Sequence, residues 1–414
     1  MGAWSGLLFS ASSAIAPAQE FLLKDGGTVV FYGDSITAQR LYTRFVEDFV
    51  LTRYPDLHIH FVNAGVPGDQ VSGGYAGTMA QRVERDVLPF HPAMITVMLG
   101  MNDGWWGTES PQIDAAFHKG YDELLDSLRK AAPEATITLI RPSPYDEITH
   151  GTEFPEYSRV IDDLANDVSR IAAERRASGD NKVLLADFHQ PLIDALEGAK
   201  TQAPQLAQLI VPDRIHPAEI GHWVMAAQLL SAWHVDPIVS SLTLNAGNAQ
   251  ALDMQRTTVT QLAKTADGLQ WTQTDRALPL PFDFNNAMIP LLLGISDIAK
   301  VDRLILRVQA LQHGRYQLLI DGKVISAFSN EELASGINLA LFKTPMVDQA
   351  RDIDSTEYQR AQLDQARFIL SADVKEDARS AMAEEKLRQA QDQLAGEIRK
   401  KLKPGPHKFE LRRQ

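Results

Sequence analysis

Hydrophobic runs alternate with amphipathic segments through the first 235 residues of the chain. The run TVVFYG, residues 28–33, is typical of a strand that is buried on both faces of a parallel sheet. Four further strand-like segments follow, at residues 58–65, 94–100, 136–140 and 182–188. The strict alternation of strand and helix predicts an open parallel sheet of five strands, covered by helices on both faces.

Helical patterns occupy the stretches between these strands. They lie at residues 37–53, around 76–88, 111–131 and 156–177, and a last helix is predicted from about Ala218 to Trp233. In the first of them Leu41, Phe45 and Phe49 fall on one helical face. Because loops at the carboxyl ends of parallel strands build the site in such folds, residues just after each strand are the first functional candidates.

After residue 237 the pattern changes to one that is typical of antiparallel β structure. Strand-like segments at residues 301–311 and 315–328 surround the tripeptide QHG, and the second contains Asp321-Gly322, a hairpin turn signal. This predicts a small antiparallel β module over roughly residues 240–350. The chain from Ser355 to Lys403 favours one or two amphipathic helices, and residues 407–413 are predicted to form one more strand. The apolar stripe of the helices, expected to pack on the protein itself, comprises Leu387, Leu394, Ile398 and Leu402.

These changes divide the chain into a signal remnant or tail (residues 1–24), an α/β domain (25–238) and an accessory β module with a helical segment (239–414). The first part carries no charge before Glu20 and contains Ala16-Pro17-Ala18, the A-x-A pattern of a signal cleavage site, but it lacks a basic n-region. Two interpretations therefore stay open. The segment is either an export signal of a periplasmic or secreted protein or a small-residue tail on a cytoplasmic one.

The composition narrows the range of partners. With 414 residues, 44% of them hydrophobic and 22% charged, the chain is typical of a soluble globular protein of two or three domains. Its net charge of -13 argues against a nucleic-acid partner, because phosphate contacts need an excess of Lys and Arg. The absence of cysteine excludes disulfides, thiolate catalysis and Cys-ligated metal sites. No uninterrupted apolar run of membrane-spanning length follows the N-terminus, so no membrane span is expected.

The tripeptide Gly33-Asp34-Ser35 ends the first strand and opens a helical pattern. Ser35 is therefore expected at the carboxyl edge of the sheet, near a helix N-terminus whose partial positive charge favours a developing anion. A serine hydroxyl becomes a nucleophile only when a base takes its proton and donors stabilise the resulting oxyanion. Taken alone, the tripeptide is as well explained by a turn, so the other strand ends must supply the base and the donors.

Two further strand ends offer hydrogen-bond donors. The second strand ends in NAGVPGDQ, where Gly65 and Gly68 lie just past the strand and a backbone N–H can face the crevice. The third ends in LGMNDGWWG, where Asn102 offers a side-chain amide and Asp103 is interpreted as a loop-ordering group. Singly, a glycine here also fits a βα turn and the asparagine an Asx turn or a helix cap.

The segment VPDRIHPAEIGHW, before the last helix, places Asp213 three residues ahead of His216. At that spacing a carboxylate can accept from the Nδ1–H of the imidazole, fix its tautomer and stabilise the imidazolium. The Nε2 atom of His216 is then free to face Ser35. Taken alone, this pair also fits a capped turn.

Together, the motifs GDS, NAGVPGD, LGMND and DRIH resemble the ordered sequence blocks of SGNH (GDSL-type) hydrolases, over residues 28–235. The resemblance implies a three-layer α/β/α sandwich of flavodoxin-like topology around the five-stranded sheet. It implies Ser35 as nucleophile, His216 as general base and then acid, and Asp213 as the residue that orients His216. The oxyanion hole would consist of the backbone N–H groups of Ser35 and Gly68 and the side chain of Asn102. Gly68, rather than Gly65, holds this position in the family pattern, and residues 240–414 lie outside the resemblance.

The resemblance also implies hydrolysis of a carboxylic ester through an acyl-enzyme, without a metal or an organic cofactor. Trp105 and Trp106 directly follow the Asn102 motif, where aromatic rings can stack on a sugar or simply pack. No long apolar lid segment occurs within residues 28–235, which disfavours long acyl chains. The favoured substrate is a small-molecule or glycan ester, with a carbohydrate O-acetylesterase or short-chain acyl esterase as the favoured activity. A lipase or thioesterase and a non-catalytic glycan-binding protein on the same scaffold are the alternatives.

Other enzyme classes fit the sequence less well. An α/β-hydrolase expects G-x-S-x-G, whereas the sequence around Ser35 is YGDSIT. A metallohydrolase needs clustered ligands, and the eleven histidines are scattered. Asp187 and His189, after the fifth strand, form a rival Asp–His pair, although DFHQP is more simply interpreted as a strand end and a turn.

Overall fold

The computed structural model describes residues 21–154, 156–373 and 378–414. The signal remnant or tail predicted for residues 1–24 therefore lies mostly outside the described residues. The described part of it is packed on the protein: the ring of Phe21 stacks on Tyr54 with 4.4 Å between centroids, and Leu23 is buried.

The predicted parallel sheet of five strands is confirmed. Its strands are β1 (Thr28–Gly33), β2 (His60–Gly65), β3 (Met94–Met98), β4 (Thr136–Arg141) and β5 (Val183–Asp187). They are ordered β2-β1-β3-β4-β5, and every adjacent pair is parallel. The carboxyl ends of the strands consequently share one edge, where the GDS, NAGVPGD and LGMND motifs lie.

Helices cover both faces of this sheet, and the fold is a three-layer α/β/α sandwich. They are α1 (Ser35–Ala38), α2 (Leu41–Arg53), α3 (Met79–Asp86), α4 (Pro111–Ala131), α5 (Tyr157–Ala177), α6 (His189–Gln202), α7 (Pro204–Ala207) and α8 (Glu219–Ala232). A two-residue ladder joins Gly73–Gly74 to Gly77–Thr78, and a 3-10 turn covers Leu88–Phe90.

Two differences from the predicted helices have local causes. The helix predicted over residues 37–53 is broken at Arg40, whose φ of 62° lies in the left-handed region, so α1 and α2 are separate. The segment DFHQP is not a turn, because α6 begins at His189. Its Pro191 lies in the first turn of the helix, where the missing N–H has no intrahelical partner to lose.

The remaining described strands form two sheets. They are β6 (Ile238–Asn245), β7 (Gln250–Gln255), β8 (Thr257–Lys264), β9 (Gly268–Asp275), β10 (Arg303–Gln309), β11 (Arg315–Ile320), β12 (Lys323–Ser329), β13 (Ile337–Asn338) and β14 (His407–Arg413). One sheet has the order β8-β9-β14-β11-β12 and the other β13-β10-β6-β7. The predicted hairpin is confirmed, with Asp321 and Gly322 at φ 50° and 76° between β11 and β12.

The prediction of a purely antiparallel module is wrong for one pair, because β6 and β10 are parallel. A parallel pair needs a long crossover, and 57 residues separate the end of β6 at Asn245 from the start of β10 at Arg303. Part of that crossover, including α9 (Ile289–Ile295), packs on the α/β domain, where Phe282 meets the ring of Trp223 at 5.1 Å.

The C-terminal helical segment consists of α10 (Asn330–Ser335), α11 (Pro345–Asp373) and α12 (Ala378–Lys401), and 3-10 turns cover Ile298–Lys300 and Leu339–Leu341. Two residues of the predicted apolar stripe, Ile398 and Leu402, are buried in the core between the two sheets. Helix α11 also lies against α2, where Arg44 pairs with Asp354 and Arg360 pairs with Glu47. Among the described residues no helix is both long and apolar enough to span a membrane.

Candidate active site

Ser35 is the first residue of α1 and follows β1 directly, as the sequence predicted. Asp34 caps this helix, since its Oδ1 accepts the backbone N–H of Ile36 at 2.9 Å. The N–H of Ser35 makes no hydrogen bond within the described part of the chain and lies at the positive end of the helix. Asp34 itself is buried, and burial raises its pKa to about 7.

His216 lies between Asp213 and Ser35. Its Nε2 is 2.8 Å from Ser35 Oγ, and its Nδ1 is 2.7 Å from Asp213 Oδ2. The other oxygen of Asp213 accepts the backbone N–H groups of Ile215 and His216, at 3.0 and 2.7 Å. Partial burial alone would raise the pKa of Asp213, but the hydrogen bonds from His216 and Ile215 outweigh it and hold that pKa below its ordinary value. An ionised Asp213 keeps the proton on Nδ1, so Nε2 presents a lone pair to the serine hydroxyl.

The loop that carries His216 is held by the loop after β4. Arg214, between the two site residues, has φ 70°, and its carbonyl accepts the backbone N–H of Asp146 at 2.9 Å. The guanidinium of Arg214 binds Glu153 at 3.0 Å and the carbonyl of Gly151. These long-range contacts fix the position of the histidine, and the sequence analysis did not foresee them.

The two glycines after β2 differ in what surrounds them. A Cβ atom on Gly65 would lie 2.3 Å from the backbone nitrogen of Ala38, so this glycine is needed for the close approach of α1. Gly68 is exposed, has φ 74°, and its N–H has no acceptor within the part of the chain that the structure describes. The loop is joined to the end of β1, where Val66 N–H donates to the carbonyl of Gly33 at 2.9 Å.

Asn102 links the second and third loops. Its side-chain Nδ2 donates to the backbone carbonyl of Asp69 at 3.1 Å. The backbone carbonyl of Asn102 accepts from the side-chain amide of Gln70 at 2.6 Å. A side-chain amide has two donors, so one N–H remains available. Asp103 orders the same junction, because its Oδ1 accepts Val71 N–H at 3.0 Å, and burial raises its pKa to about 7.

Arg82 holds the loop of Gly68 in place, and the sequence analysis missed this residue. Its buried guanidinium pairs with Asp69 and Asp86, and it lies 4.6 Å from the ring centroid of Tyr32 in β1. Burial raises the pKa of Asp69 to about 6 in spite of this pairing. The buried ion pairs tie the loop after β2 to α3, and the contact with the ring of Tyr32 ties α3 to β1.

Trp105 and Trp106 have different surroundings. Trp106 stacks on Tyr157 at 4.7 Å and lies 5.6 Å from Phe154, so packing accounts for it. Trp105 is 72% exposed and has φ 52°, a left-handed conformation that is strained for a large side chain. Of the two rings, that of Trp105 is the more exposed, since Trp106 is 36% exposed.

The rival pair after β5 is not formed by the side chains. The imidazole of His189 contacts the carbonyl of Pro142 at 3.0 Å and Asp162 at 2.8 Å instead of Asp187. Asp187 accepts the backbone N–H of His189 and pairs with Arg141 at 2.6 Å. This segment is therefore structural.

Comparison with known proteins identifies the α/β part. Residues 31–224 match the model of the GDSL-like lipase/acylhydrolase family. An acetylxylan esterase of Geobacillus stearothermophilus is 26% identical over 222 residues, which cover 50% of this chain and 93% of the relative.

Among solved structures, a gut microbial diltiazem-metabolizing enzyme superposes with a TM-score of 0.73 at 25% identity, covering 95% of this chain and 98% of that one. The crystal structure of the acetylxylan esterase Axe2 from Geobacillus stearothermophilus covers 52% of this chain and 97% of its own, with 24% identity and a TM-score of 0.40. The match to the gut enzyme thus extends through the C-terminal sheets, whereas the matches to the acetylxylan esterases span about half of the chain. Residues 31–224 are therefore a GDSL-like lipase/acylhydrolase domain, and this domain is an ester hydrolase of the SGNH type.

Proposed function

We propose that the protein hydrolyses short-chain carboxylic esters, O-acetyl groups on carbohydrates foremost, through an acyl-enzyme on Ser35. The observation that carries this proposal is the continuous hydrogen-bonded chain from Asp213 through His216 to Ser35, with both contacts of His216 within 2.8 Å. Such a chain supplies a base for the hydroxyl and an orienting carboxylate for the base. Ester hydrolysis by the family requires both.

The proposed reaction has two halves. His216 Nε2 takes the proton of Ser35 as Oγ bonds to the ester carbonyl carbon, and Asp213 stabilises the imidazolium. The tetrahedral intermediate collapses, the C–O bond to the alcohol breaks, and the imidazolium returns its proton to the departing alkoxide. Water then attacks the acyl-Ser35 carbonyl with His216 again as base, and the carboxylic acid leaves as the proton returns to Ser35.

The oxyanion of each tetrahedral intermediate is assigned to three donors: the N–H groups of Ser35 and Gly68 and the amide of Asn102. The support is that, among the described residues, the two backbone N–H groups have no acceptor and the Asn102 amide has one N–H to spare. All three donors lie at the ends of three adjacent strands. The hydrogen bond from Asn102 to Asp69, the residue after Gly68, couples two of the three donors. Donors fixed before the reaction need no reorganisation as charge develops.

Replacing Asn102 by alanine should lower kcat on an aryl acetate by about 10²–10³-fold, because one oxyanion donor is lost. KM should change little, since the donor acts on charge that is absent from the bound ester. Exposed Asn181 provides the matched control, and Asn181→Ala should retain kcat within about twofold. Full activity of a correctly folded Asn102→Ala protein would remove Asn102 from the oxyanion hole.

The openness of the site supports a substrate with a bulky alcohol. The side chains of His216 and Asp213 are 32% and 56% exposed, so the groups that serve the departing alcohol face solvent. Trp105, exposed beside Asn102, is proposed to stack on a sugar ring of that alcohol. The relative named as an acetylxylan esterase supports an acetylated glycan as the substrate. The match to a diltiazem-metabolizing enzyme over 95% of the chain makes diltiazem a second compound to test.

A panel of aryl acetate, butyrate and octanoate, with acetylated xylo-oligosaccharide and diltiazem, tests the substrate class. We expect kcat/KM for the acetate to exceed that for the octanoate by at least about tenfold. Trp105→Ala should raise KM for the oligosaccharide and leave the aryl acetate unchanged, whereas Trp106→Ala should lower the melting temperature because it removes a packed ring. An octanoate cleaved faster than the acetate would favour the lipase or thioesterase alternative.

A further inference from the structure

A second histidine, His222, lies six residues after His216 and belongs to no part of the proposed reaction. It is fully buried in α8, and its ring lies parallel to that of Tyr42, with 5.9 Å between centroids. A buried imidazole in a family hydrolase is often no more than core packing. The direction of its hydrogen bonds indicates more than packing here.

The backbone N–H of Tyr42 donates to His222 Nδ1 at 3.1 Å. A backbone N–H can only donate, so Nδ1 is the acceptor and the proton is on Nε2. That Nε2–H donates to Gln39 Oε1 at 3.0 Å. Because the amide oxygen of Gln39 is used in this way, its nitrogen faces the carbonyl of Pro217, 3.4 Å away. Every direction in this chain of hydrogen bonds is therefore fixed.

The last two members of this chain of hydrogen bonds, Gln39 and Pro217, are close in sequence to the two reacting groups. Gln39 is the residue directly after α1, the helix that begins with Ser35. Pro217 is the residue directly after His216. The segment that carries the hydroxyl and the segment that carries the imidazole are thus joined through the amide of Gln39.

His222 also completes the start of α2. The N-cap residue of that helix, Arg40, makes no side-chain capping bond, and the N–H of Tyr42 in the first turn is satisfied by His222 instead. The hydroxyl of Tyr42 in turn contacts Thr37 Oγ1 in α1 at 3.0 Å. His222 therefore fixes α2 and, through it, α1. Burial lowers the pKa of His222 to about 3, so its ring stays neutral beside the imidazolium that forms on His216.

We propose that Gln39 and His222 are a pair of positioning residues that sets the separation between Ser35 Oγ and His216 Nε2. The proposal rests on the proposed function of Ser35 and His216 and adds two residues that touch neither substrate nor the reacting atoms. Their effect is on the geometry of proton transfer, which loses rate steeply when a base is displaced from its hydrogen-bonding distance.

The decisive variant is Gln39→Leu, because Gln39 is exposed and its loss should not unfold the protein. We expect kcat on an aryl acetate to fall by about five- to tenfold, the worth of one neutral hydrogen bond, with KM unchanged. The melting temperature should stay within about 2 °C of that of the parent. The matched control is Gln190→Leu, which removes an exposed glutamine side chain that donates to Asp194 on its own helix and should leave kcat unchanged.

Two further variants test the direction of the hydrogen bonds. Gln39→Glu can still accept from His222 but presents only oxygen to the carbonyl of Pro217, so it should not restore kcat. His222→Asn retains an acceptor for Tyr42 N–H but does not reach Gln39, and combining it with Gln39→Leu should cost no more than the larger single loss.

A Gln39→Leu protein with kcat within about twofold of the parent would overturn the proposal, as would full additivity in the double variant. Failure of the proposed function is distinguishable from this. Turnover that survives Ser35→Ala would overturn the function and the positioning pair together, whereas loss in Ser35→Ala with no effect of Gln39→Leu would overturn the pair alone.

Discussion

Replacing Ser35 by alanine should lower turnover of an aryl acetate by at least about 10⁴-fold, because the nucleophile and its covalent intermediate are both lost. The fold should be retained, since Ser35 contributes its hydroxyl only to His216 and the cap of α1 comes from Asp34. Binding of substrate should persist, because the proposed oxyanion donors and the proposed sugar-binding residue Trp105 remain. Steady-state kinetics with a burst-phase measurement checks both statements.

The matched control for this variant is Ser355→Ala, which changes an exposed serine within α11. It should leave turnover within about twofold of the parent. If Ser35→Ala kept more than a small fraction of parental turnover, the acyl-enzyme mechanism would be wrong. A parent protein without measurable turnover on the whole ester panel would favour the glycan-binding alternative for this chain.

Replacing His216 by alanine should lower kcat by about 10⁴-fold, since no other group contacts Ser35 Oγ in the described part of the chain. His222 will not substitute for it, because both ring nitrogens of His222 are already hydrogen-bonded. The expected loss is in kcat, with KM nearly unchanged. His189→Ala, at the rival pair, should retain kcat unless it unfolds the protein.

The ionisation of Asp213 is expected to persist over the working pH range. The pKa of Asp213 lies below its ordinary value of 3.8, so this carboxylate stays ionised at every pH above that value. Any stabilisation that it gives is present above the unfolded-state pKa and is lost only as the pH falls through its lowered folded-state pKa. A fall in kcat/KM between neutrality and pH 4 therefore does not come from protonation of Asp213. Asp213→Asn removes the charge that stabilises the imidazolium, so it should reduce kcat throughout that range, as measured on an aryl acetate.

A kcat that is the same in the parent and in Asp213→Asn throughout that range would contradict this role of Asp213. Asp187→Asn is the control, because Asp187 ends β5 and pairs with Arg141 rather than with an imidazole. Its kcat should match that of the parent.

The α/β part of the fold was predictable because its signals are local. Strands buried on both faces are continuous apolar runs, and TVVFYG needs no knowledge of its partners to be interpreted as one. The positions of Ser35 and Asn102 follow from the same logic, since the ends of parallel strands must share an edge. That of His216 was predicted from its spacing to Asp213 and from the family resemblance, because it follows no strand. The structure brings Ser35, His216 and Asp213 into hydrogen-bonding contact in the order that the resemblance implied.

The features that escaped prediction depend on residues far apart in sequence. Nothing near Arg214 indicates that it holds the loop of Gly151 and Glu153, and nothing near Gln39 indicates that His222, 183 positions away, binds it. The parallel pairing of β6 and β10 likewise requires knowing where the crossover packs. Such contacts are selected by tertiary packing, which single-sequence patterns do not encode.

The C-terminal part is more closely joined to the α/β domain than its sequence suggested. Phe282 packs against Trp223 in α8, the helix that carries His222. Helix α11 forms partly buried ion pairs with α2, the helix whose Tyr42 N–H is bound by His222. Helices α2 and α8, which are joined through His222, therefore both pack against the C-terminal half. This is expected if the C-terminal half stabilises the site.

The central claim is that the Oγ atom of Ser35 is acylated during turnover. An active-site-directed 4-nitrophenyl phosphonate tests this claim most directly. The reagent loses 4-nitrophenolate as serine Oγ bonds to phosphorus, which leaves a stable analogue of the tetrahedral intermediate. We predict that inactivation is accompanied by one phosphonyl group on Ser35, found by mass spectrometry in the tryptic peptide of residues 25–40, and that His216→Ala does not react. Complete inactivation with the adduct on another residue would contradict the account.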